Sequence, residues 1–113
     1  MDSYNVIIAP KALSQLDSYI SYLQYTLLNE QAARNVWEDA VETMNQLSVT
    51  AGSLRLCAHP QLKKHGYHSI SFKRHRYMML YRINGATVYV DAIYHQLQDY
   101  ENTFAAELDA GDS

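Results

Sequence analysis

Residues 67–100 read YHSISFKRHRYMMLYRINGATVYVDAIYHQLQDY, and this stretch decides the fold. Tyr77 to Ile83 and Ala86 to Tyr94 are rich in β-branched and aromatic residues. Between them lies Asn84-Gly85, the strongest short hairpin signal, because glycine and asparagine accept the positive φ of a tight turn. Tyr67 to Phe72 alternates as a third strand, separated from the second by the basic turn Lys73-Arg74-His75-Arg76. An Asn-Gly turn sets Ile83 opposite Ala86, Tyr81 opposite Val88, Met79 opposite Val90 and Tyr77 opposite Ala92. Side chains alternate along a strand. One face therefore collects Tyr77, Met79, Tyr81, Ile83, Val88 and Val90, an apolar face that needs a partner layer. The other collects Arg76, Met78, Arg82, Tyr89, Asp91 and His95. That face is too polar for a core and too aromatic for an ordinary solvated surface. It suits either an anionic ligand or a covering C-terminal segment carrying Phe104 and Leu108.

The partner layer precedes the sheet. Tyr4 to Ala9 is a short apolar strand stopped by Pro10, which suits the first turn of a helix. Leu13, Leu16, Ile20, Leu23 and Leu27 then recur in steps of three and four, an amphipathic helix from Lys11 to about Leu28. Asn29 caps a second helix, Glu30 to about Val49, whose stripe is Ala33, Val36, Trp37, Ala40, Met44 and Leu47. So short a joint makes the two an antiparallel helical hairpin. Ala51-Gly52-Ser53 ends it, and Arg55 to Gly66 reads as a loop. The expected fold is α+β: an N-terminal strand, the antiparallel helical hairpin, then a three-stranded antiparallel meander forming one sheet packed against the helices. One domain over 1–108 is expected, with a frayed tail over 109–113.

At 113 residues, with 48% hydrophobic and 19% charged residues, the chain has the make-up of a single globular domain. No apolar run reaches membrane-spanning length, and no secretory signal is expected from the acid and the very short apolar run of MDSYNVIIAPKAL. The single cysteine, Cys57, excludes an internal disulfide. A cytoplasmic protein without membrane partner, metal or cofactor is the expectation. Cys57 and His59 share a loop, but two such groups without further ligands are weak evidence for a metal or nucleophile.

The charge is strongly segregated. Between Glu42 and Asp91 there is no carboxylate, yet Arg55, Lys63, Lys64, Lys73, Arg74, Arg76 and Arg82 all fall there, out of nine cations in the chain. The net charge is nevertheless −3. A local positive field of this kind points to an anionic partner, nucleic acid or acidic peptide. Lys63, Lys64, Lys73, Arg74, Arg82, Tyr89 and Asp91 are the candidate binding residues.

The order of elements, with Tyr77-Met-Met-Leu-Tyr81-Arg82-Ile83, the Asn-Gly turn, Val88-Tyr-Val-Asp-Ala-Ile-Tyr-His95 and Asp99-Tyr100, resembles the RelE/ParE toxin superfamily of type II toxin–antitoxin systems. The resemblance covers most of the chain. It implies a cognate antitoxin protein, and a target that is either DNA gyrase (ParE-like) or ribosome-bound mRNA (RelE-like). In the mRNA-cleaving members a metal-independent attack of the 2′-hydroxyl on its phosphate needs a base, an acid and a cation. The resemblance places Met78 where those members have an arginine, and Ser69 and Ser71 near their lysines. His95, Tyr100 and Arg76 remain as candidate catalytic groups. The preferred expectation is therefore a ParE-like toxin that inhibits growth by binding a target such as gyrase. A RelE-like ribosome-dependent endoribonuclease and an inactive member that only binds antitoxin are the alternatives.

Overall fold

The computed structural model describes residues 3–111. The elements are β1 (Asn5–Ile8), α1 (Pro10–Ser21), α2 (Glu30–Thr50), α3 (Pro60–Lys64), β2 (His68–Ser71), β3 (Tyr77–Asn84), β4 (Thr87–His95) and α4 (Tyr100–Gly111). The four strands form one sheet in the order β1-β4-β3-β2. The meander β2-β3-β4 is antiparallel, as expected, and β1 joins its far edge parallel to β4. Of the tail expected over 109–113, Asp109 and Ala110 are helical, and residues 112–113 lie outside the described residues. Among the described residues no helix is long and apolar enough to cross a membrane.

Local chemistry explains the helical hairpin. Pro10 opens α1, where its missing N–H costs nothing. The first helix does not stop at Ser21 but widens into a π-helical turn over Tyr22–Thr26. Leu28 then takes φ 51°, a left-handed conformation unusual for a non-glycine residue. Asn29 caps α2 by accepting from the Ala32 N–H at 3.0 Å, which satisfies one of the orphan donors of the first turn.

The hairpin of β3 and β4 corrects the expected register. Asn84 pairs with Thr87, so the two turn residues are Gly85 and Ala86 rather than Asn84 and Gly85. Gly85 alone carries positive φ, 62°, as a turn with glycine at its first central position requires. Tyr81 therefore faces Val90 and Ile83 faces Val88. A bulge then leaves Asp91 as an extra residue, and beyond it Leu80 faces Ala92, Met79 faces Ile93 and Tyr77 faces His95. One inserted residue reverses the side-chain parity of everything past it.

Two cores follow, one on each side of the sheet. On the hairpin side Leu16, Val36, Ala40 and Leu47 pack with Ile70, Phe72, Met79, Tyr81, Val88, Val90 and Ile93. All six residues assigned to the apolar face from sequence lie in or against this core. Tyr81 is fully buried, and its hydroxyl donates to the Ala51 carbonyl at 2.9 Å. On the opposite side Met78, Leu80, Ala92 and Tyr94 pack under Phe104 and Ala105 of α4 and Leu62 of α3, with Cys57 and Tyr67. Here the sequence expectation needs correcting. Met78, placed on the polar face from sequence, is a core residue, and Ala92, placed opposite Tyr77 on the apolar face, belongs to this second core; the covering C-terminal segment is the helix α4.

Candidate functional site

The basic turn between β2 and β3 is held from below by a carboxylate. Asp39 of α2 is fully buried. It accepts from the backbone N–H of Arg74 at 2.9 Å and of Lys73 at 3.2 Å, and from His75 Nδ1 at 2.7 Å. Burial would raise the Asp39 pKa, but the His75 hydrogen bond and the two backbone donors outweigh it and hold it below its ordinary value. Glu42, one turn further along α2, pairs with Arg74 at 2.9 Å and Lys73 at 3.5 Å. No sequence signal marked Asp39 beyond its position. A lone aspartate on the buried stripe of an amphipathic helix is the anomaly that could have found it.

A second cluster lies at the bulge. Asp91 accepts from Arg82 Nε at 2.7 Å and from the Tyr67 hydroxyl at 2.7 Å. The Arg82 guanidinium stacks over the Tyr89 ring at 4.4 Å, a cation–π arrangement. Burial pushes the Tyr67 hydroxyl pKa up, and Asp91 adds to the shift, so this hydroxyl is a fixed donor and not an acid. Arg82, Tyr89 and Asp91 thus come together as the sequence grouped them.

Of the candidate catalytic groups, Arg76 and His95 are neighbours along the β3–β4 edge, where the Gln96 N–H donates to the Arg76 carbonyl at 2.7 Å, but Tyr100 lies on the other side of the sheet from His95. His95 faces the helical hairpin side, edge-on to Tyr77 at 5.3 Å between centroids, with Nδ1 accepting from the Leu97 N–H. Tyr100 opens α4 on the other side of the sheet, stacked on Tyr94 at 6.5 Å. Burial raises the Tyr100 hydroxyl pKa. Arg76 is exposed at the start of β3. The parity reversal at Asp91 is what carries His95 away from Arg82, Tyr89 and Tyr100. The sheet surface between these groups is closed by α4. This helix is latched to its surroundings by Lys11–Glu107, by Lys11 over the Phe104 ring at 5.2 Å, by Gln61 to Asp109 at 2.6 Å, and by His59 Nε2 to Asn102 at 3.0 Å.

Lys63 and Lys64 end α3, exposed, and Arg55 lies on the strand-like segment that bridges Leu56 to His68. Cys57 is buried, and desolvation pushes its thiol pKa up to about 11, so it is an inert core residue. His59 spends both ring nitrogens structurally, Nδ1 capping α3 at the Gln61 N–H and Nε2 on Asn102. Among the described residues no group of three or more histidine, cysteine, aspartate or glutamate side chains could hold a metal ion.

Among the described residues, the helical hairpin carries most of the exposed large apolar side chains. Tyr22, Tyr25, Leu27 and Leu28 stand out at its tip, Leu28 82% exposed, and Leu13 and Trp37 are half-exposed along its outer side. Trp37 sits between two shallow clefts of this side. One is lined by Pro10, Leu13, Ser14 and Asp17, the other by Ile20, Gln24, Glu30, Ala33 and Arg34.

Comparison with known proteins gives two findings. The family model described as the ParE toxin of the type II toxin–antitoxin system parDE matches residues 6–100. Among solved structures, the chromosomal ParDE toxin–antitoxin system from P. aeruginosa contains a chain that superposes with a TM-score of 0.68 at 19% identity, covering 82% of this chain and 96% of that one. At that identity the likeness is one of fold. No curated protein sequence matches the chain.

Proposed function

We infer the function from one premise: the chain belongs to the ParE toxin family of type II toxin–antitoxin systems. On this reading it is the toxin of such a pair, it acts by holding a protein target such as DNA gyrase rather than by cutting RNA, and a cognate antitoxin neutralises it. The observation that carries the non-cleaving reading is the closed sheet face. Met78 is 2% exposed beneath α4, and His95 and Tyr100 lie on opposite sides of the sheet. Cleavage of RNA by its 2′-hydroxyl needs base, acid and cation around one phosphate, within hydrogen-bond reach of it, and an acid–base pair split across the sheet argues against that. The exposed aromatic and aliphatic residues of the helical hairpin supply instead what a protein-binding toxin needs, rigid apolar anchors on a rigid element.

Controlled induction of the gene tests this reading. The expected outcome is filamentation and a DNA-damage response, with purified protein blocking gyrase supercoiling. Rapid translation arrest with intact DNA would overturn it in favour of an endoribonuclease, and normal growth would leave a family member that only binds antitoxin. His95→Ala and Arg76→Ala should each leave growth inhibition at the level of the parent. Loss of inhibition in a variant that still folds would restore a catalytic role to these groups.

A further inference from the structure

The seven cations of the carboxylate-free window are not equivalent in the fold. The acids that flank the window in sequence fold back onto it. Glu42 takes Lys73 and Arg74, and Asp91 takes Arg82. Among the described residues Arg55, Lys63, Lys64 and Arg76 have no carboxylate partner. Three of these four belong to one segment, 55–64, and that segment is unusually well fixed for a surface connection. Leu62 is fully buried and anchors α3 in the second core. The Cys57 N–H donates to the Tyr67 carbonyl at 2.8 Å and the Tyr67 N–H to the Leu62 carbonyl at 3.0 Å. Gln61 and His59 tie the segment to α4. Leu56, next to Arg55 in the chain, is an exposed apolar side chain of the same segment, 41% exposed.

We propose that the anchored segment Arg55–Lys64 is a docking surface for an acidic peptide segment of a partner protein, with Arg55, Lys63 and Lys64 meeting its carboxylates and Leu56 an apolar side chain between them. Charge complementarity selects the occupant. A nucleic acid presents a continuous line of phosphates. Here that line would run onto Glu101, which lies near Cys57, and Asp109, which accepts from Gln61, both on the helix α4 to which the segment is tied. A peptide presents a few discrete carboxylates and can stop short of them. A surface fixed before binding loses little ordering entropy on contact, so a small number of charges suffices. This inference refines the toxin reading above, for a neutralising partner is the natural owner of such a segment, but its test does not use toxicity.

The full-length protein is titrated with a glutamate-rich decapeptide containing one leucine, and separately with an oligothymidylate of equal length, while backbone amide resonances are followed. The peptide should move the resonances of residues 55–64, and Lys63→Gln combined with Lys64→Gln should weaken it roughly tenfold. The already paired Lys73 and Arg74, changed together to glutamine, should weaken it far less. Binding of the oligonucleotide at the same residues, with equal sensitivity to the Lys63 and Lys64 changes, would make the surface a nucleic-acid site and overturn the proposal. So would shifts confined to residues 73–76, or the absence of any shift at millimolar peptide. A protein that binds the peptide as stated but does not inhibit growth would leave this surface standing and remove the toxin reading alone.

Discussion

Asp39 shows how one residue can hold a site together while attracting no notice in the sequence. The amphipathic stripe of α2 was legible because apolar side chains recur at helical spacing. The same periodicity places Asp39 beside Ala40 and Val36 on the buried side, where an aspartate is costly unless fully satisfied. It is satisfied by two backbone donors and an imidazole from a turn 34 to 36 residues away, and such distant partners leave no local trace. Removing it as Asp39→Ala leaves those donors without their acceptor and should cost about 3 kcal/mol in urea unfolding. The pH dependence has a definite sign. The folded-state pKa lies below the ordinary 3.8. The contribution is therefore complete above the unfolded-state value and is lost as the pH falls through the folded one. The stability difference between parent and Asp39→Ala should accordingly shrink below about pH 4. A difference that stays constant from neutral pH into that range would show that the carboxylate is not the anchor. Leu28 is the opposite case, a residue in the wrong backbone conformation. Left-handed φ costs an L residue about 1–2 kcal/mol, against about 0.5–1 kcal/mol for the extra unfolded-state freedom of glycine. Leu28 buries little, so Leu28→Gly should raise the thermal midpoint by a few degrees. A fall would mean that the exposed leucine side chain holds the joint of the hairpin.

At the scale of elements, most features with a local signal are legible in the sequence, though the hairpin turn falls one residue later than Asn84-Gly85 and the short helix α3 lies in a segment that reads as a loop. The helical hairpin, its Asn29 cap and the antiparallel meander each have a signal within about twenty residues. The parallel addition of β1 to β4 joins segments some eighty residues apart, and nothing in Asn5–Ile8 names its neighbour. The bulge at Asp91 is likewise silent in sequence, yet it alone decides which side of the sheet His95 occupies. Helix α4 was obscured for another reason. The residues it packs against the second core are Phe104, Ala105 and Leu108 in a polar, acidic segment, too narrow a stripe to announce a helix, and the surface it covers reads as polar because Arg82, Asp91 and Tyr89 share its parity. Phe104 is the residue that holds this layer, 3% exposed and edge-on to Tyr67 at 4.9 Å. Phe104→Ala should cost about 3–5 kcal/mol, and amide exchange should rise first in α4 and α3, ahead of the hairpin-side core. Simultaneous loss of protection on both sides of the sheet would show that the two cores unfold as one unit.

At the scale of the molecule, the acid-free window turns out to be a property of the sequence more than of the surface. The chain places its carboxylates on either side of the window and the fold brings Asp39, Glu42 and Asp91 back onto it, so about half of the apparent positive field is spent internally. These internal pairs differ from a binding surface in their response to salt. Lys73 and Arg74 are largely exposed against Glu42, and exposed ion pairs contribute at most about 1 kcal/mol each. Raising the salt from about 0.05 M to about 0.5 M shortens the screening length from about 14 Å to about 4 Å. For two such pairs it should therefore shift the urea unfolding free energy by no more than about 2 kcal/mol, since the two cores and the buried Asp39 are untouched by screening. Contact with an acidic partner through Arg55, Lys63 and Lys64 forms in solvent, between charges that salt screens in both partners, and should weaken roughly tenfold over the same range. Stability and binding measured side by side thus separate the spent cations from the unspent ones. Binding that ignores salt would move the recognition onto the apolar hairpin, with Trp37, Tyr22, Tyr25 and Leu28 as its anchors.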